Sequence, residues 1–486
     1  MKSANNGTAV PAESMERRTE PEGNPQSQST HRAQDRVRVS QAAGRIRQFV
    51  QREPRARLTT LLHHVTVEAL RWAFFELKRD ASAGVDGMTW RMYSEGLEGR
   101  LADLHGRVHS GAYRAMPSRR VNIPKPDGGT RPLGIAALED KIVQKAVAET
   151  ILTPIYEAQF LGFSYGFRPG RGAHDALDAL AVGMERRKIA WVVDCDIRTF
   201  FDNVSRDRLV RFLEHRIGDR RVIRLIVKWL NVGVMEDGTW RDDERGTPQG
   251  SVISPKLANV YLHYVLDLWF HKQWRRHEVR GDAIIVRYAD DFVVGFEHQR
   301  DAERFLNALK ERFRRFDLEL HPDKTRLIEF GRFAMANRRR RGQGKPETFD
   351  FLGFTHYCKK DRKGRFQLGR KPVAKRMKRT LKRIAEALCR RRHRPKTETA
   401  RWLGRVLNGW LNYYAVPTSF RWLDRFVRCV KRLWLRALRR RSQKDRHSWD
   451  SLQRLVDAHW PKVTIRHPWP SQRLAVIPTR GRSRMP

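Results

Sequence analysis

Residues 284–296 read IIVRYADDFVVGF, an apolar, strand-like run that the adjacent carboxylates of Asp290 and Asp291 interrupt at its centre. A second apolar run, residues 190–195, leads into another carboxylate, Asp196. Neighbouring anions repel one another, and burying them beside a sheet is unfavourable unless cations compensate. Two hard divalent ions, about 3.5–4 Å apart and held by oxygen ligands, are the usual apparatus of nucleotidyl transfer. The pattern therefore indicates a polymerase or a nuclease.

The composition is strongly basic. The 486 residues include 98 Lys and Arg against 54 Asp and Glu, which gives a net charge of +44. A charge of this size favours a polyanionic partner, and nucleic acid is the usual one. No run approaches about 18 uncharged apolar residues, so the sequence predicts no membrane partner. The N-terminus lacks the apolar core of a signal peptide, so we expect a cytoplasmic protein, free to associate with the nucleoid in a bacterium.

The chain divides by composition into five regions. Residues 1–55 are poor in large apolar side chains, which predicts a disordered tail. Residues 56–104 have a helical pattern, and residues 105–357 mix strands with helices without a regular βαβ period, which predicts an α+β domain. Residues 370–445 place apolar stripes at helical spacing, and 371–445 hold 24 Lys and Arg against four Asp and Glu, a net of +20. Residues 446–486 form a basic C-terminal segment.

Within residues 105–357 the pattern predicts individual elements. We expect short strands at 120–123, 190–196, 284–288, 291–296, 318–320 and 349–354. We expect helices at 138–154, 174–187, 205–215, 220–232, 255–274 and 300–315. The run 284–296 thus reads as strand, turn and strand, with the acidic pair at the turn.

A basic hairpin is predicted around residues 123–134, where Lys125 and Arg131 stand on the two arms of a Gly-rich turn. Two cations spaced in this way can hold a triphosphate, Arg through paired hydrogen bonds and Lys as a point charge. A solvated surface hairpin is the alternative.

The segment that follows the second apolar run also indicates a chemical role. Asp196 at a strand end, together with the backbone carbonyl of Ile197, offers two oxygens to a metal ion. Phe201, five residues further on, is then expected beside the sugar of an incoming nucleotide. A surface turn followed by core phenylalanines is the alternative.

Three further segments could contact substrate. Gln249, in a Gly-bounded loop before a helix, can reach a base or sugar edge. Lys324 follows a short strand and could protonate departing pyrophosphate. The segment 349–354 could grip a primer. An ordinary loop, a surface lysine and a simple core strand are the respective alternatives.

These motifs occur in the order found in reverse transcriptases, and the chain most resembles the group II intron-encoded reverse transcriptase/maturases of bacteria. The segments Tyr165–Pro169 and Pro248–Pro255 are similar to that lineage, and Gly409–Tyr414 resembles its maturase (X, thumb) domain. The resemblance covers roughly residues 60–470. Many members carry a C-terminal His/Cys-rich endonuclease domain, which we do not expect here because the chain lacks paired Cys motifs.

The resemblance implies roles for the residues singled out above. Asp196, Asp290 and Asp291 are the implied catalytic, metal-binding triad, and Ile197 contributes its carbonyl to the metal. The implied substrate contacts are Lys125 and Arg131 to the triphosphate, Phe201 to the sugar, Gln249 in the nucleotide pocket and Lys324 to pyrophosphate. The implied cofactors are two Mg²⁺ ions, with Mn²⁺ as a substitute.

The expected architecture is a right hand, with an N-terminal fingers extension at 56–104, fingers and palm at 105–357 and a helical thumb at 370–445. The expected function is RNA-directed DNA synthesis for a group II intron, combined with splicing assistance and intron mobility. The expected partners are intron RNA, an RNA template with its DNA primer, dNTPs and a DNA target. Two alternatives stay open: a maturase acting mainly as an RNA-binding splicing factor, and a domesticated reverse transcriptase in phage defence, CRISPR adaptation or diversity generation.

Overall fold

The computed structural model describes residues 25–124, 129–236, 239–241, 250–441 and 448–476. Its α-helices are α1 (Pro25–Arg52), α2 (Val67–Glu76), α3 (Trp90–Ser94), α4 (Leu97–Ser110), α5 (Leu138–Val147), α6 (Thr153–Glu157), α7 (Ala173–Arg186), α8 (Phe200–Asn203), α9 (Arg206–Glu214), α10 (Arg220–Asn231), α11 (Ser254–Leu262), α12 (Gln299–Arg315), α13 (Ala334–Arg340), α14 (Ala374–Arg390), α15 (Lys396–Tyr414), α16 (Phe420–Arg439), α17 (Trp449–His459) and α18 (Pro470–Val476). Its strands are β1 (Ser118–Pro124), β2 (Thr130–Ile135), β3 (Trp191–Cys195), β4 (Val234–Glu236), β5 (Thr239–Arg241), β6 (Ala283–Tyr288), β7 (Asp291–Phe296), β8 (Arg326–Glu329), β9 (Phe349–Phe351), β10 (Phe354–Lys360) and β11 (Phe366–Pro372).

The predicted α+β class is confirmed, and a four-stranded antiparallel sheet in the order β6-β7-β3-β8 forms the centre of the palm. Successive side chains of a strand point to opposite faces. On β3, Val193 belongs to the core that contains α12, whereas Val192 belongs to the core shared with α7 and the C-terminal helices. The sheet is therefore covered on both faces, which is why its strands read as continuous apolar runs.

The fingers carry a second sheet, in the order β2-β1-β4-β5. The antiparallel pair β1–β2 is the predicted hairpin, and β4 joins β1 in parallel through Ser118 and Val234.

A three-stranded sheet, β11-β10-β9, connects the palm to the helical region that follows it. The β10–β11 hairpin spans residues 354–372 and so includes residues 358–369, which the composition had left between two domains. The helices after it bury the predicted apolar stripe of α16, including Leu423, Phe426 and Val430. The helical, basic thumb that the sequence predicts is therefore present.

The prediction of disorder for residues 1–55 is wrong for residues 25–52, which form α1. Val39, Ile46 and Val50 lie on one face of this helix and are buried. Asp35 of α1 also forms an ion pair with Arg71 of α2, with 2.7 Å between Nε and Oδ2. Three buried apolar residues among 28 are too sparse a signal for composition to detect, and it is contact with the rest of the fold that makes them a core face. Residues 1–24 lie outside the described residues.

Three kinds of element prediction also need correction. The single strand expected at 349–354 is divided by a turn at Leu352 and Gly353 between β9 and β10. Residues 318–320 form no strand and make only an isolated bridge between Leu320 and Ile197. The expected helices at 138–154 and 255–274 are continuous but include π-helical turns, at Ala148–Leu152, His263–Asp267 and Trp269–Glu278. Sequence periodicity cannot easily distinguish such wider turns from ordinary α-helix.

Asp219 fastens the N-terminal extension to α10. Its carboxylate accepts hydrogen bonds from the backbone of Leu61 (2.9 Å), Leu62 (3.0 Å) and Arg221 (3.0 Å). Burial alone would raise the pKa of this carboxyl group, but bonds from the Arg221 side chain and from these amides outweigh it and hold the pKa at about 2.

We expect Asp219→Asn to lower the free energy of unfolding by about 1–3 kcal/mol at pH 7, because charge-assisted bonds to buried amides are lost. The depressed pKa means that this contribution is complete above about pH 4 and disappears as the pH falls towards 2. Urea unfolding of both proteins at pH 7 and near pH 3 measures the difference, which should shrink at the lower pH. Asp80→Asn, at an exposed carboxylate, is the control and should change little. Equal effects of the two substitutions would contradict the stabilising role assigned to the Asp219 carboxylate.

Candidate active site

The register of the palm sheet brings the three predicted carboxylates to one end of it. Tyr288 pairs with Asp291 across β6 and β7, so Ala289 and Asp290 form a two-residue turn. Cys195 pairs with Phe292 across β3 and β7, so the next residue, Asp196, comes opposite Asp291. Ala289 has a left-handed backbone with φ of 59°, which is uncommon for a residue other than Gly and is found where surrounding contacts impose it.

The site is short of positive charge. Burial raises the pKa of Asp291 to about 8, and the charges of Asp290, Asp194 and Asp196 act in the same direction. Asp196 accepts a hydrogen bond from Lys324, with 2.9 Å between Nζ and Oδ2. The cluster therefore favours cations, and within the chain Lys324 supplies one of them.

Sequence reasoning missed a fourth carboxylate, Asp194. It lies on β3, two residues before Asp196, which directly follows the end of that strand, so the alternation of the strand carries both side chains to the same side of the sheet. Burial raises the pKa of Asp194 to about 6, whereas its 3.2 Å ion pair with Arg326 of β8 lowers it. Strand alternation was the signal that could have identified it.

A second tight turn lies against the carboxylates. Phe351 pairs with Phe354, so Leu352 and Gly353 connect β9 and β10, both with positive φ. The Leu352 backbone donates a hydrogen bond to the Asp291 carboxyl group, and this bond lowers the pKa of Asp291. The carbonyl of Leu352 accepts a bond from the Tyr413 hydroxyl of α15 (2.8 Å). The segment predicted to grip a primer therefore links the carboxylates to the thumb.

Three further predicted site residues lie in the described part of the chain: Ile197, Phe201 and Lys324. Ile197 is buried and follows Asp196 directly, and its role as a metal ligand stays a prediction. Phe201 lies partly buried on α8, its ring 5.3 Å from that of Phe200, and its contact with a sugar likewise stays a prediction. Lys324 reaches Asp196, as described above.

The other three predicted contacts cannot be placed. Lys125 and Gln249 lie outside the described residues. The backbone of Arg131 pairs with Ile123, but its side chain also lies outside what the structure describes. Gly250, at the described end of the Gln249 loop, has φ of 107°, and a Cβ there would lie 2.7 Å from the carbonyl oxygen of Gly134 on β2. Gly250 therefore lies against the hairpin at a point where only Gly fits.

The carboxylates are hard oxygen donors, which suits divalent ions such as Mg²⁺ and Mn²⁺. Among the described residues, however, no group of three or more His, Cys, Asp or Glu side chains is already arranged to hold a metal ion. Asp196 is turned to Lys324 instead, and Asp291 to the Leu352 backbone. The donor chemistry fits a metal pair, and the side-chain positions require an adjustment to bind it.

The thumb presents a basic surface. Exposed cations follow the polar faces of two helices, Lys375, Arg376, Lys378, Arg379, Lys382 and Arg383 on α14, and Arg421, Arg425, Arg428, Arg432, Arg436 and Arg439 on α16. No helix in the described part of the chain is both long and apolar enough to cross a membrane.

Two arginines of the basic C-terminal segment have partners within the protein. Arg473 pairs with Asp178 of α7 (2.7 Å), and Arg466 bonds the side-chain oxygen of Asn408 (2.7 Å). They fasten the C-terminal segment to the palm and thumb. Arg480 lies outside the described residues.

Comparison with known proteins gives a consistent set of relatives. Residues 123–356 match the family described as reverse transcriptase (RNA-dependent DNA polymerase). Protein YkfC of Escherichia coli strain K12 is 31% identical over 327 residues, which are 60% of this chain and 84% of that protein. Group II intron-encoded protein LtrA of Lactococcus lactis subsp. cremoris is 38% identical over 167 residues, 34% of this chain and 27% of that protein. Nuclear intron maturase 2, mitochondrial, of Arabidopsis thaliana is 36% identical over 107 residues, 21% and 14% of the two chains.

Proposed function

Because this chain belongs to the reverse transcriptase family, among the group II intron-encoded proteins, we propose that it copies RNA into DNA at the turn that carries Asp290 and Asp291. RNA-directed DNA polymerase is the family's activity, and nucleic acid is its partner. One observation supports the location most strongly: the strand register sets Asp196 opposite Asp291, with Asp290 at the adjoining turn.

In the proposed reaction the primer 3′-hydroxyl attacks the α-phosphate of a dNTP. A new phosphodiester bond forms, the hydroxyl proton passes to solvent, the bond from the α-phosphorus to the oxygen bridging the β-phosphate breaks, and pyrophosphate leaves. Asp196, Asp290 and Asp291 would provide carboxylate oxygens for two Mg²⁺ ions, which would supply electrostatic stabilisation of the attacking and leaving oxygens. In this proposal Lys324, which pairs with Asp196 at 2.9 Å, transfers to the leaving group and protonates it.

The other contacts in this proposal come from residues that the resemblance assigns. Lys125 and Arg131 hold the triphosphate, Gln249 lines the nucleotide pocket and Phe201 excludes a ribose 2′-hydroxyl. The Ile197 carbonyl would add a metal ligand beside Asp196.

Primer extension tests this proposal. The purified protein should extend oligo(dT) on poly(rA) with dTTP and Mg²⁺, lose this activity in EDTA, and recover it when Mg²⁺ or Mn²⁺ is restored in excess. Absence of RNA-templated extension with either metal would overturn it.

Maturase function is the second part of the proposal, and the basic faces of α14 and α16 support it. A structured intron RNA presents phosphates over a wide surface, and arginine-rich helices bind them through charge and shape. A maturase that acts mainly through RNA binding would keep these faces and need no polymerisation. A domesticated reverse transcriptase would keep polymerisation and need no intron, so intron RNA domains flanking the reading frame would favour the intron assignment.

We expect the combined variant Lys378→Gln, Arg379→Gln, Lys382→Gln and Arg383→Gln to weaken intron RNA binding and to flatten its salt dependence. Each phosphate contact that is lost should reduce the slope of log K against log salt by about 0.7–0.9. Filter binding between about 50 and 300 mM KCl measures the slope. The matched control removes four exposed cations from α12 on the far face of the palm, Arg300, Lys310, Arg314 and Arg315. Equal slopes for the thumb variant and the unaltered protein would show that α14 does not contact RNA.

A further inference from the structure

A fully buried arginine lies beneath the turn that carries the catalytic carboxylates. Arg287 is 0% exposed, and its neighbour on β6, Tyr288, pairs with Asp291. Because side chains alternate along a strand, Arg287 projects to the face of the sheet opposite Asp291. From there its Nη1 donates a hydrogen bond to the carbonyl of Ala289, the first residue of the turn (2.9 Å).

All five N–H donors of this guanidinium have an acceptor. Besides Ala289, Nη1 bonds the side-chain oxygen of Asn259 (3.0 Å) and Nη2 bonds the Ser164 hydroxyl (2.8 Å). Nε and Nη2 bond the two carboxylate oxygens of Asp267 at 2.8 and 2.5 Å. Arg has five donors in a fixed planar fork, so the five acceptors specify both the position and the orientation of the group.

The other side of the turn is held by the same network. Asn259 donates from Nδ2 to the carbonyl of Gly166 (2.7 Å). Gly166 lies so close to the turn that a Cβ there would collide with the backbone nitrogen of Ala289. Ala289 is therefore fixed at its carbonyl by Arg287 and packed at its amide by Gly166, which accounts for its left-handed backbone.

Stability is a poor explanation for this arrangement. A buried ion pair costs desolvation that its attraction often fails to repay, and apolar replacements are frequently neutral or better. The Arg287–Asp267 pair instead fixes the geometry of the turn. Asp267 orients Arg287, and one of the five hydrogen bonds that Arg287 donates goes to the Ala289 carbonyl in that turn.

We propose that Arg287, oriented by Asp267, is a positioning residue that holds the Ala289 turn in the one conformation from which Asp290 and Asp291 can share metal ions. Arg287 touches neither substrate nor metal and acts through the Ala289 carbonyl. The inference rests on the proposed function of the two carboxylates.

The test is Arg287→Lys, which keeps the charge but cannot reproduce the planar five-bond fork. Loss of the hydrogen bonds that orient metal ligands typically lowers metal affinity or activity roughly 10- to 100-fold. We expect the Mg²⁺ concentration for half-maximal primer extension to rise by about this factor. The KM for primer–template should stay within about twofold, because the nucleic-acid surfaces lie elsewhere. Mn²⁺ binding, followed by electron paramagnetic resonance without substrates, should weaken in parallel.

Arg370→Lys is the matched control. Arg370 is also buried and paired with a carboxylate, Asp178 (2.8 Å), but it makes no bond to the turn. The Arg370→Lys substitution should leave the Mn²⁺ titration and the Mg²⁺ dependence of primer extension unchanged, whatever its effect on the unfolding temperature. Should Arg287→Lys fail to fold, Ser164→Ala removes one bond to the guanidinium and should weaken Mn²⁺ binding by a smaller factor.

An unchanged Mn²⁺ titration in a folded Arg287→Lys or Ser164→Ala protein would overturn the inference, as would an equal shift in Arg370→Lys. Failure of the proposed function has a different signature, in which the unaltered protein neither extends a primer nor binds Mn²⁺.

Discussion

Asp291→Asn should reduce RNA-templated primer extension by roughly 10³-fold or more, equivalent to about 4 kcal/mol of transition-state stabilisation. The side chain keeps its shape but loses the charge that two adjacent cations require. Asp291 lies at the centre of the cluster, opposite Asp196 and next to Asp290, so no other carboxylate can take its place. Single-turnover extension of a labelled primer at saturating dTTP measures the chemical step apart from product release.

Asp194→Asn is the matched control for this prediction. It removes one carboxylate charge from the same face of the same sheet, and its partner is Arg326. We expect it to retain most of the activity, because Asp194 is neutralised by an arginine within the protein. Near-normal extension by Asp291→Asn, or equal losses in the two variants, would contradict the assignment of Asp291. RNA binding should be unaltered in both, since one charge in a protein of net charge +44 is negligible for phosphate contacts.

Asp196→Asn should separate DNA synthesis from splicing. Synthesis requires the carboxylates, because they hold the metal ions that activate the hydroxyl and neutralise the pyrophosphate. Assisted splicing requires a bound and correctly folded intron, and the RNA supplies its own phosphoryl-transfer chemistry. We therefore expect loss of cDNA synthesis with retention of intron excision at low Mg²⁺. A splicing assay with the native intron transcript and the purified variant measures the second activity.

The control for this separation is Asp323→Asn, one residue before Lys324 at a side chain that is 90% exposed, which should keep both activities. Loss of splicing together with synthesis in a folded Asp196→Asn protein would show that the two functions share the site. If the unaltered protein does not stimulate splicing, the maturase part of the proposal fails, and a domesticated reverse transcriptase becomes the better description.

Local sequence was sufficient to determine the chemistry and the class of fold. An acidic pair inside an apolar run predicts a turn between two buried strands, and β6 and β7 have these bounds within one residue. The period-3.6 apolar stripes of the basic C-terminal region likewise predict α14 and α16. Such features depend on residues that are close in the chain, where hydrophobic spacing and turn chemistry act directly.

Only the tertiary structure decided what supports the site. Arg287 takes its acceptors from Ser164, Asn259, Asp267 and Ala289, three of them distant in sequence, and no local pattern specifies that set. The same holds for the bond from Leu352 to Asp291 and for α1, whose sparse apolar face becomes a core only against its neighbours. A buried polar group must find its partners wherever the fold brings them, so the pairing is a property of the packed chain and not of any one segment.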